Sequence, residues 1–228
     1  MLVPELSAEH VSGYARAIEE INDHHSVTAV VGGGKTAREY IGVARDLGAN
    51  DSMCDYMGID ITRINARLLI AALEGTAYPE PPTTYREAED ALADEKVPVM
   101  GGTAPGQTTD AVAAVFSEYT DADLLVYATS VDGVYTSDPS DDEDAQKVER
   151  LTPDELVQIV MQTQMNAGTN SVVDALAAKI IERSGVRTVV LDGTDPDDIE
   201  RAVLEGAHEG TEVLPEDADE VQGALDEF

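Results

Sequence analysis

The sequence predicts an α/β fold, a three-layer αβα sandwich around a mostly parallel central sheet, and three observations predict it. Short apolar runs at 27–31, 97–100, 124–128 and 188–191 alternate with longer amphipathic stretches. Those runs are nearly continuous rather than alternating with polar residues, as expected of strands covered on both faces. Two of them end directly in glycine pairs or triplets that open onto a helical pattern, the arrangement of a βα unit whose loop approaches a ligand.

Taken in order, Ser7–Asp23 reads as a helix with Val11, Tyr14, Ala15, Ile18 and Ile21 on one face. Val27–Val31 reads as a buried strand, Lys35–Leu47 as a helix, and Met57–Leu73 as another. Thr84-Tyr85-Arg86-Glu87 has the form of a capping box at the head of a short helix. Val97–Met100 is the next strand, followed by a polar loop and a helix from Asp110, which is expected to act as its cap. Leu124–Ala128 is a strand. Thr152-Pro153-Asp154-Glu155 opens a helix with proline in the first turn, where its missing N–H costs nothing. Ala175–Ser184, Thr188–Leu191 and Asp195–Glu205 add helix, strand and helix. Residues 1–214 are expected to form one domain. The tail 215–228 holds six carboxylates and no basic residue, the composition of a disordered segment.

The 228 residues include no Trp and only two Phe, so the core must be aliphatic. The formal net charge is −32, far beyond the magnitude of roughly 2–8 typical of a small soluble domain. Such a surface repels itself in dilute salt, but the Debye length shrinks to about 3 Å at about 1 M salt and removes most of that repulsion. We read the charge, together with the four lysines Lys35, Lys96, Lys147 and Lys179, as adaptation to a cytoplasm of high ionic strength. The acidity argues against nucleic-acid binding, which needs a basic footprint. A lone Cys54 excludes an intrachain disulfide and fits a reducing compartment. His10, His24, His25 and His208 have no metal-ligand spacing, and no site for a protein-bound metal is predicted. No leader pattern and no apolar run near ~20 residues is visible, so a cytoplasmic protein without a membrane partner is expected.

Three strand ends carry sequence suited to phosphate-bearing ligands. Gly32-Gly33-Gly34 runs into a helix whose first turn holds Lys35 and Arg38. Cations there oppose the helix dipole, and a bound phosphate would reconcile them. Gly101–Thr109 crowds two glycines, a Pro-Gly turn, three threonines and Gln107 into one loop, a dense set of donors for a phosphate and a polar base. The third, Val131-Asp132-Gly133-Val134-Tyr135-Thr136-Ser137-Asp138-Pro139, directly follows a strand and is more specific than its turn-forming parts.

Together these motifs resemble the amino acid kinase superfamily, and among its branches the archaeal uridylate kinases, over nearly the whole chain. The resemblance implies phosphoryl transfer from ATP to UMP, with Mg²⁺ accompanying the nucleotide and a hexameric assembly. It implies that Gly33, Asp55 and the loop Thr103, Ala104, Pro105, Gly106, Gln107, Thr108 and Thr109 hold UMP. Gly34, Arg38, Thr129, Ser130, Tyr135 and Asp138 would border ATP, with Lys35 and Arg38 as the cations nearest the transferred group. UTP is a candidate inhibitor. Ile59, Ile64 and Leu68 are candidates for subunit packing. Other branches phosphorylate isopentenyl phosphate, aspartate or glutamate, and a nucleotide-sensing module without turnover is the reading from a different class. Relatives begin with a further strand ending in Gly-Gly-Ser, then Val-Leu-Val-Pro. Here Met1-Leu2-Val3-Pro4 stands in that place, and the expectation is a start codon assigned at an internal valine.

If the charge is a salt adaptation, the thermal midpoint should rise steadily as KCl is raised from about 0.1 M to about 2 M. A midpoint indifferent to KCl would remove that reading.

Overall fold

The computed structural model describes residues 7–137, 139, 142, 144–165 and 172–215. The elements run α1 (Ala8–Asn22), β1 (Ala29–Val30), α2 (Gly34–Asp46), α3 (Asp51–Ala72), α4 (Tyr85–Ala93), β2 (Val99–Met100), α5 (Thr109–Tyr119), β3 (Leu125–Thr129), β4 (Val134–Tyr135), β5 (Lys147–Val148), β6 (Arg150–Leu151), α6 (Pro153–Met165), α7 (Ala175–Ser184), β7 (Thr188–Asp192), α8 (Pro196–Leu204) and β8 (Thr211–Val213). β1 and β2 pair in parallel, and a four-stranded sheet has the order β3-β7-β8-β6. β3–β7 and β6–β8 are parallel, β7–β8 is antiparallel, and β4–β5 form a separate antiparallel hairpin.

Period-two alternation along the strands sets the layers. Val30 and Met100 face α4 and α5, against Ala88, Val112 and Phe116. Leu125, Tyr127 and Val190 point the same way, into a cluster with Leu156, Val160, Ala177 and Ile181 of α6 and α7. On the opposite face, Ala29, Val31 and Val99 pack on Tyr14, Ala66, Leu69 and Leu73 of α1 and α3. Val126, Ala128, Val189 and Leu191 pack there on Ala202 and Ile199 of α8. Ile199 belongs to both of these clusters and joins α8 to α1. Helices therefore cover both sides of the sheet, as the sequence predicts. Each fully buried aliphatic side chain in these clusters is worth about 1.5–3 kcal/mol relative to exposure.

The local signals hold with shifts that matter. The Thr152–Glu155 box is reciprocal: Thr152 Oγ1 accepts from the Glu155 N–H (3.2 Å) and Glu155 Oε2 from the Thr152 N–H (2.8 Å). At α4, Glu87 instead accepts from the N–H and hydroxyl of Thr83, while Thr84 caps the helix. Helix α3 starts at Asp51, well before the expected Met57, because Asn50 caps it by accepting from the Met53 N–H at 2.9 Å. That extension carries Asp55 onto a helix. Asp110 is not the cap of α5. Thr108 is, with Oγ1 accepting from the Ala111 N–H at 3.1 Å. The short strands β4, β5, β6 and β8 have no counterpart in the apolar pattern. Of the residues expected at a subunit interface, Ile59 is buried and presses on Gly102, so it belongs to the core. Ile64 and Leu68 remain exposed, as do Tyr40 and Val43 on α2 and Leu47 at its C-cap.

Candidate active site

The parallel register Ala29↔Val99 and Val30↔Met100 sets the loops after β1 and β2 side by side. Helix α3 then fixes both. Asn65 Nδ2 donates to the Gly32 carbonyl at 2.8 Å. Thr62 Oγ1 accepts from the Gly102 N–H at 2.7 Å and donates to the Ile59 carbonyl at 2.6 Å. Arg63 Nε donates to the Gly102 carbonyl at 3.2 Å. The glycines are needed for this approach: a Cβ on Gly101 would lie 2.6 Å from Thr62 Oγ1, and one on Gly102 2.9 Å from Ile59 Cγ1. A Cβ on Gly33 would meet that of Ala37. Gly34 sits at φ +61°, the left-handed region that disfavours a side chain.

Beyond Gly102 the loop folds on itself. Thr103 Oγ1 lies 3.0 Å from Gln107 Oε1, and the Gly106 N–H donates to Asp55 Oδ2 at 2.9 Å. Ala104 and Pro105 form the turn between them, and Thr109 begins α5 next to Gly32. Thr108, besides capping α5, donates to Asp174 Oδ2. Asp174 in turn caps α7 through the N–H groups of Leu176 and Ala177. Tyr127 on β3 donates its hydroxyl to the Asp110 carbonyl at 2.7 Å. These contacts bring strand β3 and the starts of α5 and α7 together beside the paired loops after β1 and β2. Sequence reasoning missed Asp174, Thr62 and Asn65 and took Asp110 for a cap. The Thr-Thr-Asp run was the available signal for Asp110. Its carboxyl is largely buried, and burial first, then the negative Asp174, pushes its pKa up to about 6.

After β3, Thr129 accepts from the Gly193 N–H through its carbonyl at 2.8 Å, while its hydroxyl bonds the backbone of Val131. Ser130 is exposed. The Tyr135 hydroxyl donates to Asp132 Oδ1 at 2.9 Å, and Lys147 Nζ to Asp132 Oδ2 at 3.2 Å. Burial would raise the Asp132 pKa, but the bonds from Tyr135 and Lys147 outweigh it and the carboxyl sits below its ordinary value. Asp138 lies outside the described residues. Lys35 and Arg38 stand in the first turn of α2, which has a glycine N-cap, no side-chain cap and no acidic residue. Lys35 is exposed and pairs with Glu39 at 3.7 Å. Arg38 is exposed and makes no ion pair among the described residues.

Because the Asp110 pKa is raised from 3.8 to about 6 on folding, its charged form destabilises the fold. That penalty is absent below the unfolded value, grows as pH rises through the window and is complete above about 6, where it approaches about 3 kcal/mol. Replacing Asp110→Asn should therefore leave stability near that of the wild type at pH 4 and exceed it increasingly up to pH 7, read from urea midpoints. A difference that does not vary with pH would refute the raised carboxyl.

Residues 5–192 match the model of the amino acid kinase family. The uridylate kinase of Methanococcoides burtonii is 57% identical over 91% of this chain and 88% of its own. That of Haloarcula marismortui is 54% identical over 95% of each chain. Among solved structures, uridylate kinase from Archaeoglobus fulgidus superposes with a TM-score of 0.84 at 48% identity, covering 91% of this chain and 94% of that one. UMP kinase from Ureaplasma parvum does so at 0.75 and 25% identity, covering 92% and 90%. With that likeness joined to glycine loops set side by side in an αβα sandwich, the chain belongs to the amino acid kinase family.

Proposed function

We propose that this protein transfers the γ-phosphoryl group of ATP to the phosphate of UMP, giving UDP and ADP. The observation that carries the reading is the pair of donor-rich loops after β1 and β2 set side by side, with Thr108 tied to Asp174 and Tyr127 of β3 to Asp110, in a chain whose relatives are uridylate kinases. Two polyanions can then meet face to face, as in-line transfer requires.

UMP lies against Gly33 and the loop Thr103–Thr109. Asp55 turns its second carboxylate oxygen to the sugar hydroxyls, the first being held by the Gly106 N–H. ATP lies along Gly34, Arg38, Thr129, Ser130, Tyr135 and Asp138. The free N–H groups at the start of α2, with Lys35 and Arg38, neutralise charge that builds on the transferred group. The acceptor phosphate is already ionised, so no general base is needed. Among the described residues no three His, Cys, Asp or Glu side chains gather as a metal cage. An Mg²⁺ accompanying the nucleotide would be carried chiefly by phosphate oxygens and would supply further charge neutralisation when bound.

The protein works in the cytoplasm as a hexamer. Support for the first is the single Cys54; no helix among the described residues is long and apolar enough to cross a membrane. Support for the second is the apolar stripe of Tyr40 and Val43 on α2 and Leu47 at its C-cap with Ile64 and Leu68 on α3, exposed on a single chain.

A coupled ADP-release assay in about molar KCl should show turnover with UMP and at least about tenfold lower kcat/KM with CMP, because a site that hydrogen-bonds the uracil edge leaves groups unpaired against cytosine. Absence of UMP-dependent ADP release, or preference for an isopentenyl phosphate or carboxylate acceptor, would overturn the assignment. Light scattering in the same buffer should give six times the chain mass, and a monomer would overturn the assembly.

A further inference from the structure

Lys147 stands outside every loop so far given a role, yet it joins three segments. Its Nζ donates to Asp132 Oδ2 at 3.2 Å and to the Glu209 carbonyl at 2.8 Å. Its aliphatic stem crosses Gly133, where a Cβ would come within 3.1 Å of Lys147 Cδ and 2.7 Å of Thr211 Oγ1, at φ +153°. Asp132 uses its other oxygen to accept from the Tyr135 hydroxyl. One ammonium thus ties the segment before β8, the turn after β3 and the tyrosine expected against ATP.

The turn needs such a tie. Among the described residues the β4–β5 ladder pairs Val134 with Val148 and Tyr135 with Lys147, extended by the Thr136 N–H to the Gln146 carbonyl at 3.0 Å, and a short isolated hairpin is marginal in water. Thr211 Oγ1 steadies its base by accepting from the Val134 N–H at 2.7 Å and donating to the Val148 carbonyl at 2.6 Å. Lys147 reaches from β5 to the Asp132 oxygen that Tyr135 of β4 leaves free. It is also the least exposed cation in any ion pair among the described residues, at 26% of its side-chain surface against 44% for Arg187, the next. Its partner Asp132 is half-exposed at 51%, so the shielding from salt is on the lysine's side of the pair.

We propose that Lys147 is a positioning residue for the donor nucleotide: through Asp132 it holds Tyr135 in place and cancels a carboxylate charge beside the loop expected to border the adenine and ribose of ATP. The inference rests on the donor site proposed above. Lys147 touches no substrate in this scheme.

The test is Lys147→Met in about molar KCl, with ATP binding followed by calorimetry and turnover by ADP release. Loss of a charge-assisted hydrogen bond should raise the Kd and KM for ATP about tenfold. KM for UMP and the thermal midpoint should stay near wild type. Lys147→Arg should recover most of the ATP affinity, and Lys147→Met combined with Asp132→Asn should recover part, because the uncompensated charge is gone. Unchanged ATP affinity overturns the proposal, as does an equal rise in both KM values, or an arginine variant no better than methionine. Calorimetry needs no acceptor, so a wild type that binds ATP but ignores UMP overturns the proposed reaction and leaves this test intact. A wild type that binds no ATP overturns both.

Discussion

Thr62 and Asn65, one helical turn apart on α3, hold the backbones of two neighbouring glycine loops, and the site's geometry depends on that pair of contacts. Side chains three apart on a helix share a face, so the rise of α3 sets the separation between Gly32 and Gly102. Parallel pairing of β1 and β2 alone would leave the loops beyond the last ladder bond without a fixed course. A buried side chain that satisfies a loop N–H or carbonyl fixes it, because breaking the bond strands a polar group away from water. The glycines follow from the same constraint. At 101 and 102 the missing Cβ makes room for Thr62 and Ile59 rather than for a ligand, and the surfaces left for a ligand are the N–H groups and hydroxyls further along each loop.

A chain of charge −32 that must gather two polyanions works against its own field. Most described helices carry an acidic residue in the first turn; α2 carries none and has Lys35 and Arg38 there instead. This local reversal of sign lies where the triple glycine meets the helix. Salt makes the reversal sufficient, since the repulsion from distant carboxylates decays within a few ångströms at high ionic strength while contacts at hydrogen-bond distance persist.

The layered fold was legible because Val30, Met100, Val126 and Val189 sit in runs apolar on both faces, a pattern only a covered sheet produces. Strands of two residues such as β4, β5 and β6 fall below the length at which periodicity means anything, and β8 places Glu212 between Thr211 and Val213. The loops of the site were legible from glycine and threonine density, but their scaffold was not. Thr62 and Asn65 look like ordinary polar positions on an amphipathic helix, and nothing local says that they face Gly102 and Gly32. Asp110 was read as a cap because it follows two threonines at a helix start. The hydroxyl of Thr108 wins that role, and Asp110 moves inward beside Tyr127 and Asp174, a long-range meeting no window of sequence displays. Lys35 was read by its place near a dipole, whereas its side chain reaches Glu39 one turn on, a pairing the i,i+4 spacing did announce.

The two halves of the site are secured by different chemistry, and salt treats them differently. Around Gly32 and Gly102, Thr62, Asn65 and Thr103 act as uncharged hydrogen-bonding groups, whose strength barely responds to ionic strength, beside the charged Arg63 donor to the Gly102 carbonyl. Beside the loop after β3 the Lys147–Asp132 pair is ionic, with its lysine mostly covered and its carboxylate half-exposed. The fully exposed pairs, such as Lys35–Glu39, are worth little even in dilute solution. A protein adapted to concentrated salt can therefore spread carboxylates over its surface without loosening its site, provided the contacts that set loop geometry are either neutral or shielded. Asp55 joins the two kinds: it is a carboxylate, half-buried and bonded to the Gly106 N–H, where it satisfies a backbone donor and keeps a second oxygen outside that bond.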